Sequence, residues 1–326
     1  MKTKIYAGLA ACGLLGLLGP ASADTYPSRV ITVVVPFAAG GPSDVVARVV
    51  TDHMAKTLGQ AMVIENLGGA GGTLGSGRVA SATPDGYTLL AASMGSHVAA
   101  PVLQPNLKYD AARDFEPIGI TAHSPAVIVA KKDFPAKDLR EFIDYVKQNG
   151  DKVKQAHGGI GASSHMACFL FNSQLGLKPS SVAYRGTGPA VNDVIGGHVD
   201  YFCEQVVSVA EQVNSGTMKA YAVSSAERLP VIPDVPTAKE AGAPQYEMDI
   251  WSGMFAPHGT PKEIVAKLAD ALDKALDDPG VTKRLRDLGG TIPAKAERSP
   301  DAFEQMVKAE MGRWSPILQA AKSTTN

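Results

Sequence analysis

Gly40-Gly41-Pro42-Ser43-Asp44 sets two positions without side chains ahead of three residues that open helices. The chemistry this permits is anion binding by the main chain. Glycine lets the backbone turn sharply and a ligand approach its N–H groups. A helix start leaves its first N–H groups unpaired and partly positive, so a carboxylate or phosphate can dock there without a cationic side chain. The same residues also suit an ordinary strand–turn–helix connection, and spacing alone does not choose. Asp44 has the wrong sign to touch an anion and suits the first helical turn, where its charge meets the dipole.

A second motif, Gly161-Ala162-Ser163-Ser164-His165, is one residue from the G-x-S-x-G nucleophile elbow, with His165 in place of the second glycine. Ser163 could serve an exported hydrolase only with a base supplied from elsewhere; as a hydroxyl donor it also suits carboxylate binding. His97 and His165 sit at helix starts, where hydrogen bonding to the backbone competes with catalysis. Arg185, at a strand end, either pairs with an anion or faces solvent. No H-E-x-x-H or C-x-x-C spacing occurs, so neither a metal nor a cofactor is expected. Gly75-Ser76-Gly77-Arg78-Val79-Ala80 fits G-x-G-x-x-A, but no acidic residue ends a strand about 20 positions on, which sets a dinucleotide site aside.

These motifs need rigid elements to hold them. Val33-Val34-Val35 ends a β-rich run from Arg29, and apolar residues at 46, 50, 54 and 58 mark one face of the following helix. Strands follow at 61–65 and 87–92. The run 115–130 is interrupted by His123-Ser124-Pro125, and proline there argues for a crossing between lobes over one continuous strand. Helices are expected at 139–148, 166–175 and 191–195, the last with Pro189 near its start, and strands at 180–184, 199–203 and 220–224. Thr260-Pro261-Lys262-Glu263 reads as a capping box ahead of a buried stripe at 264, 265, 268, 272 and 276, and helices near 281–288 and 300–321 close the chain. Four small-residue loops, at 38–44, 93–97, 159–165 and 185–190, thus lie between a strand and a helix. In an open α/β sheet that is where ligands bind.

Composition narrows the class. Residues 1–23 have the form of a secretory signal peptide, with Lys2 and Lys4, an apolar run over 5–18, and Ala21-Ser22-Ala23 as the cleavage triplet, so the mature chain starts at Asp24 in the periplasm. Leu9-Ala10-Ala11-Cys12 resembles a lipoprotein box, but the chain stays apolar past Cys12, and cutting there would halve the hydrophobic segment. Cleavage removes two lysines and no acid, taking the formal net charge from −1 to −3. No basic patch points to nucleic acid, and no later apolar run reaches about 18 residues, so the mature protein is not expected to be membrane-embedded. Its length fits two domains. Cys168 and Cys203 remain, either as a disulfide or as two buried thiols.

Five blocks carry a family resemblance: Pro36-Phe37-Ala38-x-Gly40-Gly41-x-x-Asp44-x-x-Ala47-Arg48, Glu65-Asn66-x-x-Gly69-Ala70-Gly71-Gly72, Tyr184-Arg185-Gly186-x-Gly188-Pro189-Ala190, Asp234-Val235-Pro236-Thr237-x-x-Glu240-Ala241-Gly242 and Ala256-Pro257-x-Gly259-Thr260-Pro261. Together they resemble the Bug family, the periplasmic receptors of tripartite tricarboxylate transporters, from about Ser28 to Ala320. The resemblance implies an α/β, two-lobed type II periplasmic binding fold with a central ligand cleft. The first lobe would comprise 24–122 and 252–326, and the second 123–251. It implies a small organic carboxylate as ligand (a di- or tricarboxylate, or an aromatic dicarboxylic acid), membrane permease subunits as partners, and a monomer. An exported hydrolase using Ser163 and a sensor for a signalling partner are the alternatives.

By position, Phe37, Ala38, Ala39, Gly40, Gly41, Ser43 and Asp44 would form the first binding loop, holding a carboxylate through backbone amides. Ser93, Ser96 and His97 would stand beside it. Ala162, Ser163, Ser164 and His165, with Arg185, Gly186, Thr187, Gly188 and Pro189, would close from the second lobe. Cys203-Glu204-Gln205 departs from the Phe-Asp-Asn of many relatives, which brings Glu204 into the specificity question. Trp251 reads as hinge packing more readily than as a stacking surface for ligand.

Overall fold

The computed structural model describes residues 26–104 and 106–325, with side chains to 320. The expected signal peptide lies outside these residues. In chain order the elements begin with β1 (Ile31–Val35), α1 (Pro42–Leu58), β2 (Met62–Asn66), α2 (Thr73–Ala80), β3 (Thr88–Ser93), α3 (Ala100–Leu103), β4 (Phe115–Lys131) and α4 (Leu139–Asn149). They continue with β5 (Lys154–His157), α5 (Ser163–Leu175), β6 (Ser180–Ala183), α6 (Thr187–Ile195), β7 (Tyr201–Gln205), α7 (Val206–Asn214) and β8 (Met218–Val223). The chain closes with β9 (Asp249–Pro257), α8 (Lys262–Asp277), α9 (Pro279–Asp287) and α10 (Pro300–Thr325).

The fold is two-lobed and α/β. β1 pairs in parallel with β2 and β3, and β9 runs antiparallel to β3. In the other half β5 pairs in parallel with β6 and β7. β4 joins the halves. It pairs with β9 from Phe115 to Pro125, and with β7 from Ala126 to Ala130. The expected interruption at His123-Ser124-Pro125 is therefore a change of partner inside one 17-residue strand. Proline has no N–H to give a ladder, and Pro125 falls where one ladder ends and the next begins.

Each half packs its own apolar layer. Ile31, Val33 and Val35 of β1 meet Val46, Val50 and Met54 of α1 and Leu268 and Leu272 of α8, the period-2 and period-3.6 faces read from sequence. Val127 and Val129 of β4 meet Val191 and Val194 of α6 and Val206 and Val209 of α7. Trp251 is buried edge-on against Phe303 of α10, 5.5 Å between centroids.

Some helix boundaries differ from expectation. α8 begins at Lys262 with Pro261 as its N-cap and no side-chain cap, because the Thr260 hydroxyl donates instead to the Pro257 carbonyl at 2.7 Å. α6 begins at Thr187, which moves Pro189 into its first turn. α7 is not among the expected elements, although Val206, Val209, Ala210 and Val213 repeat at helical spacing.

Candidate functional site

A narrow cavity is lined by Phe37, Pro42, Ser43, Ser93, Ala162, Ser163, Ser164, Thr187, Glu204 and Gln205. Four helices start on its wall. Pro42 and Ser43 open α1, Ser163 and Ser164 open α5 behind Ala162, Thr187 opens α6, and Gln205 is the N-cap of α7. None of these four helices is capped by the side chain of its own N-cap residue, and although Val207 N–H of α7 donates to Ser124 Oγ at 3.3 Å, their partial positive charges are directed at a common space. Larger grooves exist, such as the one between α1 and α9, but exposed side chains of both signs line it, including Arg48, Asp52, Lys56 and Arg284.

The loops around the cavity touch across the cleft. Gly95 N–H donates to Ser163 Oγ at 3.1 Å, and Ser163 Oγ lies 3.2 Å from Ser93 Oγ. Ala38 N–H donates to the Arg185 carbonyl at 3.4 Å. Gln104 Nε2 spans the rim, donating to the carbonyls of Ala70 at 2.7 Å and Ile160 at 2.6 Å. Only residues without side chains permit this approach: a Cβ on Gly41 would lie 2.5 Å from Thr187 Oγ1, and one on Gly186 2.5 Å from Ala38 N. The lobes are closed.

Of the expected residues, Phe37, Ser43, Ser93, Ala162, Ser163, Ser164, Thr187 and Glu204 come together on the cavity wall. Ala38, Ala39, Gly41, Gly186 and Gly188 form the interlobe contact beside it. Gly40 N–H is engaged by Asp44 Oδ2 at 3.0 Å. Asp44 also accepts from Asn66 at 2.9 Å and pairs with Arg48. Its burial opposes ionisation, but these partners outweigh it and hold its carboxyl below the usual range. Asp44 thus braces the loop from behind.

Ser96 and His97 stand behind the wall, in the core. His97 stacks on Phe255, 4.2 Å between centroids, and burial pushes it down to about 3, which leaves it neutral. His165 packs between His157 and Phe169, and burial pushes it too down to about 3. Its Nδ1 accepts from Gly161 N–H, whereas the Ser163 hydroxyl accepts from Gly95 N–H and shares a hydrogen bond with Ser93 Oγ, an arrangement unlike a nucleophile and its base. Arg185 and Pro189 are exposed. Pro42 and Gln205, present in the motifs read from sequence but not named there as contact residues, also line the wall; the helical period of α7 was the signal for Gln205. Among the described residues no cluster of three His, Cys, Asp or Glu could hold a metal, and no described helix is long and apolar enough to cross a membrane.

A bond between Cys168 of α5 and Cys203 of β7 ties two of the walls together, with Cα atoms 5.1 Å apart.

Residues 46–322 match the tripartite tricarboxylate transporter family receptor profile. The chain belongs to this receptor family. A UPF0065 protein of Agrobacterium vitis is 40% identical over 321 residues, covering 98% of this receptor and 92% of that protein. The malate-bound MatC of Rhodopseudomonas palustris superimposes with a TM-score of 0.88 at 47% identity, covering 90% of this receptor and 100% of MatC. The periplasmic binding protein BugD superimposes with a TM-score of 0.88 at 43% identity, covering 91% and 99%. The Bug resemblance read from the five blocks and the two-lobed fold it implied both hold.

Proposed function

We propose that this receptor binds a small dicarboxylate in the closed cavity between its lobes and delivers it to the membrane permease of a tripartite transporter. The observation that carries this is the convergence of four helix starts on one space whose wall, among the described residues, has no lysine or arginine. Each start supplies roughly half a positive charge, and together they suit a ligand with two negative groups better than one. MatC, with malate bound, is similar over nearly the whole chain.

The rest of the reading follows the family. The receptor acts in the periplasm as a monomer after cleavage behind Ala23. Its lobes comprise 24–122 with 252–326, and 123–251, a division supported by the change of β4 partner at Pro125.

Calorimetry and thermal shift with succinate against butyrate test it. A ligand that binds only the folded form at about 100 times its Kd stabilises by about 2.7 kcal/mol, so succinate should raise the melting temperature while butyrate at the same concentration does not. Equal binding of the monoacid, or no binding of any four- to six-carbon diacid, overturns the proposal.

A further inference from the structure

Glu204 is the one acidic side chain on the cavity wall, and it is fully buried. Its Oε1 accepts from Gln205 N–H at 2.7 Å, which fixes the carboxyl. Its Oε2 and Thr187 Oγ1, near each other on the same wall, make no aligned hydrogen bond. These two buried polar atoms thus lack an aligned partner, a costly condition that a ligand oxygen at the cavity relieves.

Charge balance decides what Glu204 can be. Four helix starts at about half a charge each give roughly +2, which a dianionic ligand already matches. An ionised Glu204 would leave one negative charge buried without a partner, and isolated buried carboxylates neutralise by taking a proton. The remaining titratable and charged groups on the surrounding elements do not change this. Asp44 and Arg48 of α1 pair with each other, and Asp193 of α6 accepts from the Tyr184 hydroxyl. His97, His157 and His165 are all held down by burial. Arg185 is exposed, and Val127 is the residue opposite Glu204 on β4.

We propose that Glu204 is protonated in the closed complex and donates through Oε2 to an oxygen of the bound diacid, so that each capture takes up one proton. This rests on the dicarboxylate reading above and adds what selects the ligand: an acceptor oxygen facing Glu204 is required, and an ammonium is not. Burial, the dominant influence, pushes the Glu204 carboxyl up to about 8, against the opposing influence of Gln205 N–H and the nearby Thr187 and Ser208 hydroxyls. With the lobes apart, water reaches Glu204 and its pKa returns to about 4.3. Closure is therefore unpenalised below the open-state value. It is disfavoured by up to about tenfold per pH unit above it, until the closed-state value is passed.

The test is calorimetric titration of succinate into the wild type and Glu204→Gln, in phosphate and in Tris, from pH 6.5 to 7.5. The wild type should take up close to one proton per succinate, with Kd rising about tenfold over that pH unit. Glu204→Gln keeps a neutral donor and bears no protonation cost; it should bind with no uptake and a flat pH profile, more tightly than the wild type by about tenfold or more at pH 7.5. A difference infrared spectrum of the wild type, read for a protonated carboxyl band on adding succinate, needs no variant to fold. Succinate binding without proton uptake overturns this inference alone, as does uptake that persists in the variant. Tighter binding of L-aspartate than succinate, without uptake, would make Glu204 an ionised partner for an ammonium and also overturn it. Failure of the wild type to bind any four- to six-carbon diacid removes the dicarboxylate reading, and this inference with it.

Discussion

Ser93 Oγ and Ser163 Oγ lie 3.2 Å apart, although 70 residues separate them in the chain. One ends strand β3 and the other opens helix α5, so this pair of hydroxyls exists only when the cleft is shut. With Gly95 N–H also donating to Ser163, the Ser163 hydroxyl serves both closure and the cavity wall.

Ser163→Ala should therefore weaken succinate binding by about 0.5–3 kcal/mol, the scale of one hydrogen bond to a neutral or charged partner. The ligand-free melting temperature should barely move. Isothermal titration measures the first and calorimetric scanning the second; an unchanged Kd would remove Ser163 from the site. An esterase activity lost in this variant would favour the hydrolase instead.

Gly188→Ala separates closure from folding. Gly188 lies in the first turn of α6, where alanine is the better helix former, yet a Cβ there would fall well inside contact distance of the Ala39 carbonyl across the cleft. The expected outcome is unchanged or slightly higher stability, at least tenfold weaker succinate binding, and no compaction by small-angle scattering when succinate is added. Compaction equal to the wild type would show that closure does not need this contact.

The Cys168–Cys203 bond encloses the stretch that contains Thr187, with a sequence separation of 35. Cross-links over loops of this length typically contribute about 2–4 kcal/mol. Urea unfolding of Cys168→Ala/Cys203→Ala should show a loss of that size, and dithiothreitol should lower the midpoint of the wild type alone. Two reactive thiols on alkylation of the unreduced, denatured protein would contradict the bond.

His123 Nδ1 stands 2.8 Å from Asp249 Oδ2 beside the change of partner in β4, an ion-pair contact without hydrogen-bond alignment. Burial lowers the imidazole pKa, but Asp249, Glu297 and Glu310 outweigh it and leave it raised. A raised histidine contributes stability fully below its unfolded value of about 6.5, and that contribution is lost as pH rises through the folded value. Because Asp249 is 58% exposed, the worth is that of a screened pair, about 0.2–1 kcal/mol. His123→Gln should cost that much at pH 6 and nothing at pH 9. Equal costs at both would mean the imidazole acts by packing alone.

The sequence by itself determined the strand–loop–helix order and the glycine loops, because these are written in short-range signals. Two-residue and 3.6-residue apolar periods place β1 and α1, and glycine and proline mark the turns between them. The five blocks also sufficed to name the family. Tertiary structure decided which loop residues face the cavity. Asp44 turns behind its loop because Arg48 and Asn66 are there to receive it, and His97 enters the core because Phe255 of the distant β9 offers a ring to stack on. Glu204 reaches the wall through the register of β7 against β4, where a slip of one residue would exchange its face with that of Cys203. Four helix starts share one cavity only after the two halves, joined by β4 and β9, fold against each other. No local pattern contains that convergence, since the residues that meet are as far apart as Pro42 and Gln205.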